Sequence, residues 1–199
     1  MNILAVDGTG ETLTVALDAG GKIYSARRSG KKPHDETLLP LVESVLKRAK
    51  ISWKNLDAVA AAAGPGRFTG IRIGLSFAAI CGMQLEIPAL ALSRLEAAAG
   101  KSDADRVRAA LPGWKNEVYH QAFRWKNGVL TADGDPEWTA PEAWPARRSA
   151  EAARGTAVVE GDVGAVDLLP VARRRLASKK FPPFEPFYLK PAGYEKPPR

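Results

Sequence analysis

The strongest signal in the pattern of apolar and polar positions lies just before the middle of the chain. Residues 56–63 form a short apolar run of strand length, Leu-Asp-Ala-Val-Ala-Ala-Ala-Ala. The stretch Gly64-Pro65-Gly66-Arg67-Phe68-Thr69-Gly70-Ile71-Arg72-Ile73-Gly74 follows, and within and beyond it Ile71, Leu75, Ala78, Ala79 and Gly82 recur at close to helical spacing. The pattern predicts a strand, a glycine turn and a helix. Upstream, residues 3–7 read as a strand, 12–17 alternate as a second, and 22–28 read as a third beyond the hairpin turn Ala19-Gly20-Gly21. Leu38, Val42, Val45 and Ala49 form the apolar stripe of a helix over 34–50, which Leu39, Leu41 and Leu46 widen beyond what one sheet contact needs. Residues 89–92 predict a strand, and Ser93 with Glu96 forms a capping box that opens a helix to Ala99.

The second half repeats this order loosely. Strands are predicted over 107–111, 117–125, 129–132 and 156–160, with a basic helix over 165–179 and an extended, proline-rich tail over 182–199. Residues 134–138 read as a loop, and Thr139 with Glu142 as the capping box of a helix that Pro145 interrupts. The polar stretch Lys101-Ser102-Asp103-Ala104-Asp105 marks the boundary between two lobes, 1–102 and 103–199. The order of elements predicts a duplicated α/β architecture.

A glycine turn between a strand and a helix gathers backbone N–H groups that can hold an anion. The same glycines serve equally well to let a helix pack closely. Two known patterns are absent: no Gly-Lys-Ser/Thr follows as in a phosphate loop, and the third glycine comes one residue late for a dinucleotide turn. Asp7 ends the first strand before Gly8-Thr9-Gly10, which places a carboxylate beside a turn that could face a phosphate or simply reverse the chain. Asp7, Thr9, Gly64 and Gly66 are therefore the candidate nucleotide contacts, with both readings open.

Composition narrows the chemistry. The chain has 199 residues, 45% hydrophobic and 26% charged, which is ordinary for a globular protein. No apolar run is expected to reach membrane-spanning length, and no membrane partner is expected. One cysteine, Cys81, permits no internal disulfide, sits in an apolar helix as a structural thiol, and suits a cytoplasmic location. The net charge of +7 includes two basic runs, Arg27-Arg28-Ser29-Gly30-Lys31-Lys32 and Arg173-Arg174-Arg175 with Lys179-Lys180, compatible with weak contact to RNA phosphates. With only His34 and His120, in different lobes, no histidine-based metal site is expected and no nucleophile has a placed base. A phosphotransferase would have only Asp7, Glu117 and Asp162 as acids at element ends.

The glycine stretch resembles the Gly-Pro-Gly-Ser-Phe-Thr-Gly-hydrophobic-Arg-hydrophobic-Gly signature of the TsaB (YeaZ) family, bacterial proteins of tRNA threonylcarbamoyladenosine biosynthesis in the glycoprotease-like group. Arg67 stands where the signature has serine. Leu4-Ala5-Val6-Asp7, His34 with Glu36 and Leu38-Leu39-Pro40, Glu117-Val118-Tyr119, and Phe187-Tyr188-Leu189 carry supporting matches. Two departures are Asp7-Gly8-Thr9-Gly10, where the family has Asp-Thr-Ser-Thr, and Pro112-Gly113-Trp114, where it has Asp-Ala-Arg.

The resemblance implies a two-lobed fold of the actin, sugar-kinase and heat-shock-ATPase type, which is ribonuclease-H-like. It implies an accessory role without chemistry of its own, beside a TsaD-like subunit and a TsaE-like ATPase. The product would be threonylcarbamoyladenosine in tRNAs that read ANN codons, with tRNA met only through the complex. It also implies a homodimer when free, no cofactor of its own, and ATP or ADP at the complex. Pairing through the two first-lobe helices would place Leu38, Leu39, Val42, Phe68, Ile71, Gly74, Leu75 and Ala78 at the interface, with the small-residue face of the second helix against another subunit. The rival readings are a small kinase or ATPase with Asp7 as base, and a peptidase.

Overall fold

The computed structural model describes residues 1–30 and 32–189. β1 (Asn2–Asp7), β2 (Leu13–Ala19) and β3 (Lys22–Arg28) form the antiparallel meander that the alternation predicts. β4 (Ala58–Gly64) pairs parallel to β1, and β5 (Ala89–Ser93) parallel to β4, so the first sheet runs β3-β2-β1-β4-β5. The register sorts side chains by face. Leu4, Val6, Val15, Leu17, Val59 and Ala61 pack under α1 (His34–Ala49) and α2 (Phe68–Leu85). Ile3, Ala5, Ala16, Ala58, Ala60 and Leu90 pack on the opposite face under α5 (Ala165–Ser178). β4 is buried on both faces, and its alanines leave little room between sheet and helices.

α2 comes closest to the sheet. A Cβ on Gly70 would lie 1.7 Å from the Gly8 carbonyl oxygen, and one on Gly82 would lie 2.9 Å from Ala89 Cβ. The small-residue face expected to meet another subunit therefore serves the helix's own sheet. α2 also corrects the expectation about length: its 18 residues are long and apolar enough by composition to cross a bilayer. Here one side of the helix is buried along β4 and β5.

The second sheet repeats the first. β6 (Arg106–Pro112), β7 (Val118–Lys126) and β8 (Val129–Ala132) form a meander, and β10 (Ala157–Glu160) pairs parallel to β6 as β4 does to β1. Together the sheets give the duplicated α/β fold that was expected. α3 (Arg94–Ala99) lies between them, with Ala97 in the first lobe's core and Leu95, Ala98 and Ala99 in the second's. Ser93 caps it, accepting from the Glu96 N–H, which is one half of the capping box read from the sequence; the Glu96 carboxylate pairs with Arg175. Two local expectations fail. β9 (Glu137–Thr139) pairs with β7 in place of the loop, and α4 (Trp144–Ala153) takes Pro145 into its first turn, where a proline leaves no hydrogen bond broken.

Thr139 is unavailable as a helix cap because its hydroxyl lies 2.7 Å from His120 Nε2. His120 is fully buried and stacks on Trp144 at 5.1 Å. Its Nδ1 lies 3.3 Å from Arg108 Nη1, and Arg108 in turn pairs with Glu151 at 2.7 Å. Burial, then the neighbouring guanidinium groups of Arg108 and Arg147, lowers the His120 pKa to about 4. Between that value and about 6.5 the unfolded chain binds a proton here that the folded chain does not, so stability falls as pH drops through this window and levels off below it. We expect this group to cost on the order of 3 kcal/mol between pH 7 and pH 4. Chemical denaturation across that range should show a shallower pH slope in His120→Gln than in the parent chain.

Candidate functional site

β1 and β4 are neighbouring parallel strands, and their carboxyl ends open at the place where open α/β sheets bind ligands. Asp7 closes β1 and Gly64 closes β4, so the four candidate contacts Asp7, Thr9, Gly64 and Gly66 do come together there. No room is left between the two turns. A Cβ on Gly66 would sit 2.6 Å from Thr9 Cβ, and the Arg67 N–H donates to the Thr9 carbonyl at 2.7 Å. Gly64, at φ +122°, faces the backbone of the C-terminal segment, with a Cβ there 2.4 Å from the Phe187 carbonyl oxygen.

The Asp7 carboxylate is already fully engaged. Thr9 donates to its Oδ1 from both N–H (2.8 Å) and hydroxyl (2.6 Å). Arg94 Nε donates to its Oδ2 at 3.1 Å, with both side chains 3% exposed. From the same guanidinium, Nη1 donates to the Pro65 carbonyl at 2.9 Å, and Nη2 to Asp162 Oδ1 and to the Val163 carbonyl at 3.1 Å. Arg94 thus joins the first turn, the glycine turn and the loop between β10 and α5. A kinase needs a free carboxylate and space for a phosphate beside it. These residues do not fit a nucleotide: the carboxylate is spent and the space is filled by an arginine.

The histidines offer no alternative chemistry. His34 packs its ring on the first turn, with Nδ1 3.1 Å from the Gly8 carbonyl oxygen. In His120, Nδ1 faces Arg108, and arginine can only donate, so Nδ1 accepts and the proton sits on Nε2. The imidazole therefore donates to the Thr139 hydroxyl and cannot act as its base, so this pair does not make a hydrolase nucleophile. Among the described residues no cluster of three or more His, Cys, Asp or Glu could hold a metal. Burial raises the Cys81 pKa, which leaves a structural thiol.

The first-lobe helices do present an apolar surface, but on a different phase from the one expected. Leu38 is 3% exposed and Val42, Ile71 and Ala78 are 0% exposed, and Gly74 and Leu75 are buried as well. All six belong to the lobe's own core. Phe68 is half-buried, and Leu39 is half-exposed. On α2 the outward line is Ile73, Ser76, Ile80 and Met83, spaced three and four apart, with Ile80 61% and Met83 76% exposed. At the helix start Tyr188 stacks on Phe68 at 4.9 Å, and Arg72 lies over the same ring at 3.8 Å. Arg72 Nε also bonds the Tyr188 hydroxyl oxygen at 3.0 Å. The described part of the C-terminal segment therefore borders this surface, while residues 190–199 of the expected tail lie outside the described residues.

The basic helix is less free than its sequence suggests. Arg173 pairs with the buried Asp18, Arg175 pairs with Glu96 at 2.8 Å, and Arg174 lies over the Trp125 ring. In the first basic run, Arg27, Arg28 and Lys32 are exposed, and Lys31 lies outside the described residues.

A family model described as "TsaD: tRNA N6-adenosine threonylcarbamoyltransferase" matches residues 28–136. The TsaB protein of Escherichia coli K12, named for tRNA threonylcarbamoyladenosine biosynthesis, is 29% identical over 96% of this chain and 95% of its own length. The Bacillus subtilis TsaB is 32% identical, over 65% of this chain and 58% of its own. The solved structure of YeaZ from Pseudomonas aeruginosa superposes with a TM-score of 0.74 at 26% identity, covering 94% of this chain and 99% of that one. The chain belongs to this family, on its TsaB (YeaZ) branch.

The family match takes in α1, the glycine turn, α2, α3 and the second meander, so it spans both sheets. Two features escaped the reading of the sequence. Arg94 stands 87 positions from Asp7, inside a segment that signals only a capped helix. Ile80 and Met83 do carry a helical period, but an apolar helix with small residues on its buried face gives no clue to which side faces out. The contact at Gly70 yields a paired expectation. Gly70→Ala should destabilise the chain by about 3 kcal/mol, because the new methyl meets backbone that cannot yield. Gly74→Ala, whose nearest neighbour lies at 3.7 Å, should be neutral or stabilising by up to roughly 1 kcal/mol. Urea denaturation of both variants checks the contrast.

Proposed function

We propose that the chain is an accessory subunit in the formation of N6-threonylcarbamoyladenosine in tRNA, working beside a TsaD-like subunit that carries out the transfer. The observation that carries this reading is the outward apolar line of α2, with Ile80 and Met83 most exposed, on a chain of this family. A long helix whose two sides are both apolar has a second surface to cover, and exposed apolar patches of this kind mark protein contacts. The helix's neighbour α1 adds Leu39, and Phe68, Arg72 and Tyr188 close the patch at the start of α2. Aromatic and arginine side chains are the usual anchors of such interfaces.

The engagement of the Asp7 carboxylate by Thr9 and Arg94 supports the division of labour. In this reading the free chain pairs with a second copy through the same face, which the TsaD-like lobe then takes over. A TsaE-like ATPase joins the complex, any ATP or ADP belongs to the complex and not to this cleft, and tRNAs reading ANN codons are the acceptors. The setting is the cytoplasm.

The docking face is separable from the core by mutation. Ile80→Glu combined with Met83→Glu should cost at least about 2 kcal/mol of partner binding, roughly a 30-fold loss, while thermal unfolding stays unchanged. Val42→Glu should instead unfold the lobe, because it buries a charge at a fully enclosed position. Co-purification with the TsaD-like subunit, combined with a melting curve for each variant, distinguishes the two. A complex that survives the double substitution rules out this face.

A further inference from the structure

We infer that Arg94 is a built-in lock of the inter-lobe cleft and the positioning residue of the docking helix, so that this chain holds its lobes together and presents α2 without any nucleotide. The inference deepens the accessory role proposed above only in its partner-binding arm; the lock itself rests on the geometry alone.

The carboxyl ends of β1 and β4 are where a sheet of this kind offers converging backbone N–H groups to a ligand. Here an arginine of the chain occupies that point. Its guanidinium makes four hydrogen bonds to three separate segments: the end of β1 through Asp7, the glycine turn through the Pro65 carbonyl, and the β10–α5 loop through Asp162 and the Val163 carbonyl. Charge is balanced on both sides of the cleft, by buried Asp7 from the first sheet and by Asp162 from the loop that leaves the second. A second cation reinforces the loop, with Lys101 Nζ 3.0 Å from Asp167 Oδ1 and 3.4 Å from the Asp162 carbonyl oxygen.

A planar fork of fixed donors holds several acceptors in a defined geometry at once, which a single point charge cannot do. Burying the guanidinium is tolerable because four of its five N–H donors meet an acceptor, and taking it away removes the cation paired with a buried carboxylate. A phosphate at this point would have to draw Arg94's donors away from Asp7, Asp162 and the two carbonyls, and to part turns that are already in contact at Gly66 and Thr9. The bond to Pro65 also fixes the turn from which α2 departs three residues later, with Arg67 tied in turn to Thr9 at 2.7 Å. Arg94 thus holds the end from which α2, and with it Ile80 and Met83, extends, while the packing of α2 on its sheet holds the rest of the helix.

Hydrogen exchange read by mass spectrometry on the full chain tests the lock. In the parent protein the segments 8–11 and 65–70 should be protected, and saturating magnesium-ATP should leave that protection unchanged. Arg94→Ala should speed exchange in both segments at least about tenfold while α1 keeps its protection. Arg94→Lys, which keeps the charge and loses the fork, should fall between them and serves if the alanine variant does not fold. Parent-like exchange in both variants overturns the lock, as does new protection of these segments by magnesium-ATP in the parent chain. In the partner arm, Arg94→Lys should weaken binding to the TsaD-like subunit severalfold with α1 still protected. Binding equal to the parent's overturns the positioning role. Absence of any complex with the parent chain overturns the accessory reading and leaves the exchange result to decide the lock.

Discussion

The arginine between the two turns is the constraint on which the rest of the molecule depends. Arg94 lies on the short helix between the sheets and reaches the first strand, the glycine turn and the second lobe's exit loop together. A buried charge of this kind contributes little net stability when paired and costs a great deal when left alone. Its effect is specificity of arrangement: three segments distant in the sequence can satisfy it in only one relative placement. The glycines make that placement possible. Gly66 and Gly70 bring the second turn and the start of α2 onto Thr9 and Gly8 at distances no side chain would allow.

The same packing separates this chain's cleft from a working nucleotide site. Catalysis would require a carboxylate with open access and groups aimed at a developing charge. Asp7 instead accepts two bonds from Thr9 and one from Arg94, so its charge is consumed in holding the fold. What the first lobe offers to its surroundings lies on its outer side, where Leu39, Ile80 and Met83 are exposed and a Tyr188–Phe68–Arg72 stack stands at the start of α2. The lobe's interior and its surface thus have different tasks, and α2 carries both.

Much of this was legible in the sequence where the information is local. Alternation over β1–β3, the apolar run of β4 and the Ser93 cap each follow from neighbouring residues, and so did the meander and its loose repetition in the second half. The glycine stretch was legible as a turn of unusual closeness. Its partner was not, because the contact that explains Gly70 is the Gly8 carbonyl oxygen, more than sixty residues earlier. The outward side of α2 was misread for a related reason. Small residues on a helix announce close approach but not what approaches, and here it is the helix's own sheet. β9 went unseen because three residues of an edge strand leave hardly any pattern, and Thr139 was read as a cap when its hydroxyl belongs to buried His120.

The placement of α5 has a consequence for how the molecule comes into being. This helix is the last regular element of the described chain, yet Leu168, Leu169, Val171 and Ala172 cover the face of the first sheet made by Ile3, Ala5, Ala58, Ala60 and Leu90. During synthesis that alanine-rich face emerges first and waits for a cover that begins 75 residues after Leu90. The strands of the second lobe lie in the interval, as an insertion between a sheet and its own cover. Closing that loop is an entropic burden carried by the longest-range contacts in the fold, which slows its final step relative to its early ones. A fragment ending before Ala165 would keep all five strands of the first sheet and lack one of its two cores.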